Sequence, residues 1–355
     1  MKNLILPKYI LVCVIIALVS GGCKKDNATS AWDNPKGVFV INEGTTSVSS
    51  SVSCFATGNL KIYNDIFNLV NGRPLGSYTQ SIDTSNNNYY IMVGGSNKIE
   101  VVKQADFKSV ATISGLNTPR YFQAINSQKA YVSQWGATGV DGTLAIIDLT
   151  TNTIKSTITS VGSGTEKMLL YNNKVYAVNA GGYGNDSTVV VVDPSTDAIT
   201  KRINVGYNPN SIVADKNGMI WVLCSGYTDA ATWSLTKSGA LVAINPSTNT
   251  VEKTMTFTIL KSPTSLTINT AKDQLVYIYN GGVYQQDITA STLTTTAKIN
   301  RSFYHIGIDP SSDILYATDP KDYSSNGLLI RYNNSFSKID SCTVGVGAGE
   351  LFFNN

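Results

Sequence analysis

Histidine is nearly missing from this sequence: His305 is the one imidazole among 355 residues. A His-rich metal centre or a multi-histidine proton relay therefore has little to build on. Charge is sparse too, with Asp, Glu, Lys and Arg only 14% of the chain, against roughly 25% in an average soluble protein. The formal charge is +3 and no run of Lys or Arg concentrates it, which excludes the basic footprint of a nucleic-acid binder. Cysteine occurs five times without a CxxC pair, so a structural zinc site is not indicated. There is no GxSxG, no HExxH and no DxDxDG calcium loop. The run Gly181-Gly182-Tyr183-Gly184 has no helix behind it to cradle a phosphate and reads as a turn. Asp141, Asp319 and Asp322 are loop acids from which only an opportunistic calcium site could be drawn. The sequence thus offers no catalytic set, no metal site and no cofactor.

Ser, Thr, Asn and Gly fill the space that charge leaves, and Tyr outnumbers Phe 19 to 10. A hydrophobic fraction of 42% is enough for a core. Disorder, coiled coils and long helical bundles do not have this composition. It is that of a β-rich, extracytoplasmic protein.

Residues 1–22 read as a secretion signal. Lys2 and Lys8 supply a positive start, residues 10–19 an apolar stretch, and Ser20, Gly21 and Gly22 a small-residue cleavage site. Cys23 follows directly. The pattern resembles a bacterial lipoprotein signal, with Ser20 standing where Leu or Val is usual. That resemblance implies acylation of Cys23 and a membrane hold firmer than one acyl chain provides; an ordinary secretory signal or an uncleaved anchor helix is the alternative. Residues 23–36 form a short polar tether. Cys54, Cys224 and Cys342 are odd in number and far apart, so they read as small buried hydrophobes rather than a disulfide framework.

From residue 77 onward the sequence repeats. One strand type recurs at 129–134 (KAYVSQ), 174–179 (KVYAVN), 219–224 (MIWVLC), 275–280 (LVYIYN) and 314–319 (ILYATD). A partner type ending in Asp or Asn recurs at 143–148, 188–193 and 240–245, followed by the turns 193–197 (DPSTD) and 245–249 (NPSTN). Pro with Asn or Asp in such places presets turn geometry. Four short strands in each repeat of about 40–45 residues are the signature of a β-propeller blade. Inner strands are expected to start near Tyr78, Pro119, Thr165, Pro209, Pro263, Phe303 and Gly347. The N-terminal segments 37–44, 52–55 and 60–63 lack an inner strand, and residues 349–353 are an inner strand lacking its partners. Together they complete one blade. The reading is a single all-β domain over residues 37–355, a seven-bladed β-propeller with four antiparallel strands per blade and its ring closed by the two chain ends. A two-sheet sandwich is the alternative.

Propeller topology then sorts the loops. Residues 135–142, 180–187, 225–239 and 320–327 make long loops on one face, while 126–128, 171–173, 194–196 and 246–248 make tight turns on the other. Loops longer than a hairpin needs are usually functional. Trp135, Tyr183, Tyr227, Trp233 and Tyr323 lie in these long loops. Arg73, Gln80, Arg120, Tyr121, Glu166, Asn208, Asn210, Tyr304, His305 and Glu350 lie where inner strands begin, at the expected channel mouth. Rigid aromatics beside adaptable hydrogen-bonding groups suit ligand recognition. His305 with Glu166 or Glu350 is the only pairing from which a catalytic base could come.

At 37–44 (GVFVINEG), 118–121 (TPRY), 129–132 (KAYV) and 206–211 (GYNPNS) the chain resembles the YncE-like (YVTN-type) seven-bladed propeller lipoproteins of the Bacteroidota surface. The likeness extends over nearly the whole mature chain. It implies an outer-membrane, lipid-anchored protein facing the cell surface. One branch of that family captures vitamin B12 and other corrinoids outside a TonB-dependent transporter. The resemblance implies a non-catalytic capture protein for a small nutrient, a corrinoid or a glycan, with such a transporter as partner. The alternatives are a lactonase-like hydrolase or lyase working at the channel mouth, or a glycan-binding surface protein.

Overall fold

The computed structural model describes residues 24–25 and 35–354; the signal segment and Cys23 lie outside the described residues. Seven antiparallel sheets are arranged in a ring. Their inner strands are Thr79–Ser85, Pro119–Ala124, Thr165–Tyr171, Pro209–Ala214, Thr264–Ile268, His305–Ile308 and Ala348–Asn354. Each touches the inner strand before and after it, and the last touches the first. We number the blades 1 to 7 in that order. Every start lies within two residues of the position expected from the repeat.

The two chain ends share blade 7. Ala348–Asn354 pairs with Gly37–Asn42, which continues through Ser51–Ala56 to Lys61–Tyr63, and Lys24–Lys25 adds a short parallel strand outside it. Blade 5 departs from the four-stranded pattern. Its sheet is Thr264–Ile268, Gln274–Tyr279 and Gly282–Asp287, with a single bridge between Val283 and Ile299 in the outer position. A one-turn-and-a-half helix, Ile66–Asn71, carries the chain from blade 7 to blade 1.

The burial pattern explains the strand sequences. Second and third strands are covered by neighbouring blades on both faces, so they are continuously apolar, as in Thr188–Asp193 with its four buried valines. Outer strands such as Thr153–Gly162 are mostly exposed.

The repeated tyrosine and the repeated turn are two halves of one contact. Tyr90 donates its hydroxyl to Asn152 Oδ1 of the next blade (2.9 Å), and Tyr176 does the same to Asn249 Oδ1 (2.9 Å). Tyr131 bonds to Asp197 Oδ1 in the same way. Each acceptor is the last residue of a third-to-fourth-strand turn and holds a left-handed conformation, φ 54° at Asn152, 57° at Asp197 and 54° at Asn249, which Asn and Asp tolerate best after Gly. The motif therefore staples consecutive blades. Tyr277, in a blade whose successor lacks that turn, is buried with no partner for its hydroxyl among the described residues. Tyr131→Phe is expected to cost about 1–2 kcal/mol, whereas Tyr277→Phe should be neutral or stabilising. Thermal melts of both variants check the staple; equal losses would contradict it.

Cys54 and Cys224 are buried in the core, as expected. Cys342 departs from that expectation: it is disulfide-bonded. Among the described residues no group of acids, His and Cys could hold a metal ion. Asp141, Asp319 and Asp322 are instead engaged by Thr138, Arg301 and Ser325.

Candidate functional site

The long loops do share a face with the starts of the inner strands. The amides of Trp135, Ala180 and Ser225 donate to the carbonyls of Thr118 (3.2 Å), Gly164 (2.9 Å) and Asn208 (2.9 Å), each in the link just ahead of its own blade's inner strand. Glycine makes the closest approaches possible. A Cβ at Gly182 would lie 1.8 Å from the carbonyl oxygen of Gly139, and one at Gly139 would lie 2.2 Å from the Tyr183 ring. Loops 136–141 and 180–187 are thereby locked together.

The mouth itself is built by bulges. Every inner strand except His305–Ile308 slips register against its neighbour near the mouth. The slips fall at Gln80, Arg120–Tyr121, Glu166–Lys167, Asn210, Ser265–Leu266 and Gly349–Glu350. An extra residue bends the strand and re-aims its side chains. Most of the polar groups of the mouth come from these positions.

Three carboxylates organise it. Glu350 accepts from Tyr121 Oη (3.1 Å), Lys167 Nζ (2.9 Å) and His305 Nε2 (3.2 Å). Gln80 Nε2 in turn donates to Tyr121 Oη (3.2 Å). Glu166 Oε1 accepts Arg120 Nε (2.9 Å) and Trp135 Nε1 (2.6 Å). The Arg120 guanidinium lies 4.1 Å over the Trp135 ring. Glu43 takes the hydroxyl of Tyr304 at 3.1 Å, and Gly349 lets the pair close, since a Cβ there would stand 3.1 Å from Glu43 Oε1.

The electrostatics follow from burial. Desolvation pushes the His305 imidazolium down to about 4, so the ring is neutral at neutral pH and donates Nε2–H to an ionised Glu350. Its Nδ1 then accepts from Ser265 Oγ (3.1 Å). Desolvation alone would raise Glu350, but the groups facing it, His305, Lys167 and Tyr121, hold it below the usual range. Burial raises Glu43 against the opposing hydrogen bond from Tyr304. Ser265, His305 and Glu350 have the spacing of a nucleophile relay. Access is missing: Ser265 is buried, and its Oγ accepts the Ile306 amide at 2.9 Å.

Gln80, Arg120, Tyr121, Trp135, Glu166, Tyr304, His305 and Glu350 are thus brought together. Tyr183 packs edge-on against Trp135 (5.5 Å) and Tyr323 against Tyr304 (5.6 Å), extending the cluster outward. Trp135 supports this surface rather than forming its outermost layer, because Arg120 covers one face and Glu166 holds its N–H. Asn208 and Asn210 turn into the backbone, to the Gly226 (3.0 Å) and Pro263 (3.0 Å) carbonyls, and tie blades and loops. Tyr227 and Trp233 occupy a separate arm, the hairpin Tyr227–Thr228 with Leu235–Lys237. There Tyr227 packs on Tyr207 (5.0 Å), and Trp233 at the tip is 67% exposed.

Arg73 is a correction: it lies away from the mouth. The helix Ile66–Asn71 holds this stretch over the outer strands of blade 1, where Arg73 reaches Glu100 (2.5 Å) and Ser109 (3.0 Å) and covers the Phe67 ring. Glu43, Lys167 and Ser265 belong to the cluster and escaped the sequence reading. The signal for Lys167 was its place beside Glu166 at a strand start; for Glu43 and Ser265 the deciding contacts are long-range.

Among solved structures, a quinonprotein alcohol dehydrogenase-like protein of Bacteroides thetaiotaomicron matches with TM-score 0.68 at 17% identity, over 91% of this chain and 79% of that one. The periplasmic gluconolactonase of Pseudomonas aeruginosa matches with TM-score 0.63 at 10% identity, over 90% and 99%. A functionally unknown protein from Desulfotomaculum acetoxidans gives TM-score 0.63 at 12% identity, over 90% and 98%. At such identities the likeness shows the propeller fold alone. No curated protein matches the sequence. The family model that does match spans residues 36–344, from the edge of blade 7 through blade 6, and the chain belongs to that family, described as Domain of unknown function (DUF5074).

Proposed function

We propose that this protein is a non-catalytic capture propeller that binds a small nutrient on its mouth face. The observation that carries the reading is the asymmetry of the two faces. Tyr183 is 63% exposed and Tyr323 49% exposed around a fixed polar floor, while the opposite face ends in tight Pro-Ser-Thr turns. Rigid aromatic rims over hydrogen-bonding groups supply contact area at low entropic cost. The carboxylates of the floor are held by Arg120, Lys167, Tyr121 and Tyr304, and Ser265, beside His305, is buried and bonded to the Ile306 amide, which supports binding rather than turnover.

The ligand class is a large, partly planar solute. Resemblance to the corrinoid-capturing propeller lipoproteins favours a corrinoid, with a surface glycan next, and favours delivery to a TonB-dependent outer-membrane transporter. Titration calorimetry with cobalamin and a glycan panel tests this: saturable heat without product formation supports capture, and turnover abolished in His305→Ala would replace it with an enzyme.

Anchoring through Cys23 belongs to the same proposal. Cys23→Ala is expected to move the protein from the membrane fraction to the soluble fraction. A mutant still fully membrane-bound would contradict the anchor. So would a Cys342 peptide disulfide-linked to Cys23 in the mature protein, since an acylated thiol cannot pair.

A further inference from the structure

Below the mouth, the channel contains a cavity of about 200 Å³. Tyr121, Lys167 and Glu350 line it, and their mutual bonds form its roof. Met168, Ile212 and Phe352 line it on one part and the polar Ser81 and Gln123 on another, and the half-buried Asp83, on the inner strand Thr79–Ser85, lines it too. Asp83 has no ion-pair partner among the described residues. One oxygen, Oδ1, takes the amide of the adjacent Thr84 at 2.6 Å. The cation that shares the cavity, Lys167, is committed to Glu350 at 2.9 Å. Burial pushes the Asp83 carboxyl up to about 7, the mark of a charge that nothing nearby compensates.

A half-buried carboxylate without an ion-pair partner, set beside apolar side chains, favours a cation that brings its own apolar surface. We propose that this cavity is a binding site for a small primary alkylammonium group, with Asp83 as its counter-charge and the Met168, Ile212 and Phe352 walls around its hydrocarbon part. The volume is below the roughly 300–1,000 Å³ of drug-sized pockets, which restricts the guest to a short-chain amine. The site lies beneath the polar floor and does not rest on the capture reading.

The probe is n-butylammonium chloride, with 1-pentanol as the uncharged counterpart. The intact mature protein is expected to bind butylammonium at one site, at least tenfold more tightly than pentanol. Asp83→Asn should reduce butylammonium affinity at least tenfold and leave pentanol unchanged. In methyl-labelled protein the Met168 resonance should shift on titration, while Met255, far out on blade 4, should not. This readout needs no variant to fold. Equal affinity for the two probes, an unmoved Met168 methyl, or wild-type affinity in Asp83→Asn would each overturn the proposal.

Discussion

A chain ending at Gly347 is expected to lose its cooperative thermal transition and to aggregate. The missing segment is the inner strand of blade 7, Ala348–Asn354, paired to Gly37–Asn42 from Gly37 opposite Asn354 to Asn42 opposite Ala348. Leu351 is buried, and Phe352 and Phe353 pack on the aromatic rings of Tyr89 (6.3 Å) and Tyr316 (5.7 Å) on neighbouring blades. Burying a large apolar side chain is worth about 1.5–3 kcal/mol. Three such residues together approach the 5–15 kcal/mol that typically separates a folded domain from its unfolded chain. Truncation would also bare the edge of Gly37–Asn42, an aggregation template. Scanning calorimetry and sedimentation check the outcome. A monomer with an unchanged melting temperature would show that the ring does not depend on this closure.

Much of this architecture was legible because propeller repeats write their period in the sequence. The alternation of KxY-type strands with Pro-Ser-Thr turns located the blades, and the unequal ends, 37–63 without an inner strand and 349–353 without outer ones, foretold the closure. The missing outer strand of blade 5 was not legible, since Thr-rich residues 289–296 carry neither a strand pattern nor a firm turn signal. The site was legible by position more than by contact. Gln80, Tyr121, Glu166 and Glu350 were placed at strand starts, and bulges then turned them inward. What they bond could not be read, because Tyr121 and Glu350 meet across 229 residues and Tyr304 and Glu43 across 261. Arg73 shows the limit: the same positional logic failed where a short helix displaced the chain before the inner strand began.

The mouth geometry also revises which aromatics should matter most. Trp135 is held from three sides by Arg120, Glu166 and Tyr183, so its loss would disturb the floor as well as any ligand. Tyr183 and Tyr323 are cleaner probes. Each packs against one aromatic ring of the cluster, Tyr183 also against Gly139, and they remain 63% and 49% exposed. Removing either should cost on the order of 2 kcal/mol in ligand binding, roughly 30-fold in Kd, the scale of a binding hot spot. Ser195 and Ser247 occupy equivalent turns on the opposite face, where the Ser195 hydroxyl donates to Asp193 Oδ1 and the Ser247 backbone amide to Asn245 Oδ1. Their loss should leave affinity within about twofold. The most direct test is therefore calorimetric titration of cobalamin and the glycan panel into Tyr183→Ala, Tyr323→Ala, Ser195→Ala and Ser247→Ala beside the parent. Loss confined to the two tyrosine variants is the result expected of a capture face at the channel mouth; equal losses on both faces, or no saturable heat with any ligand, would contradict it.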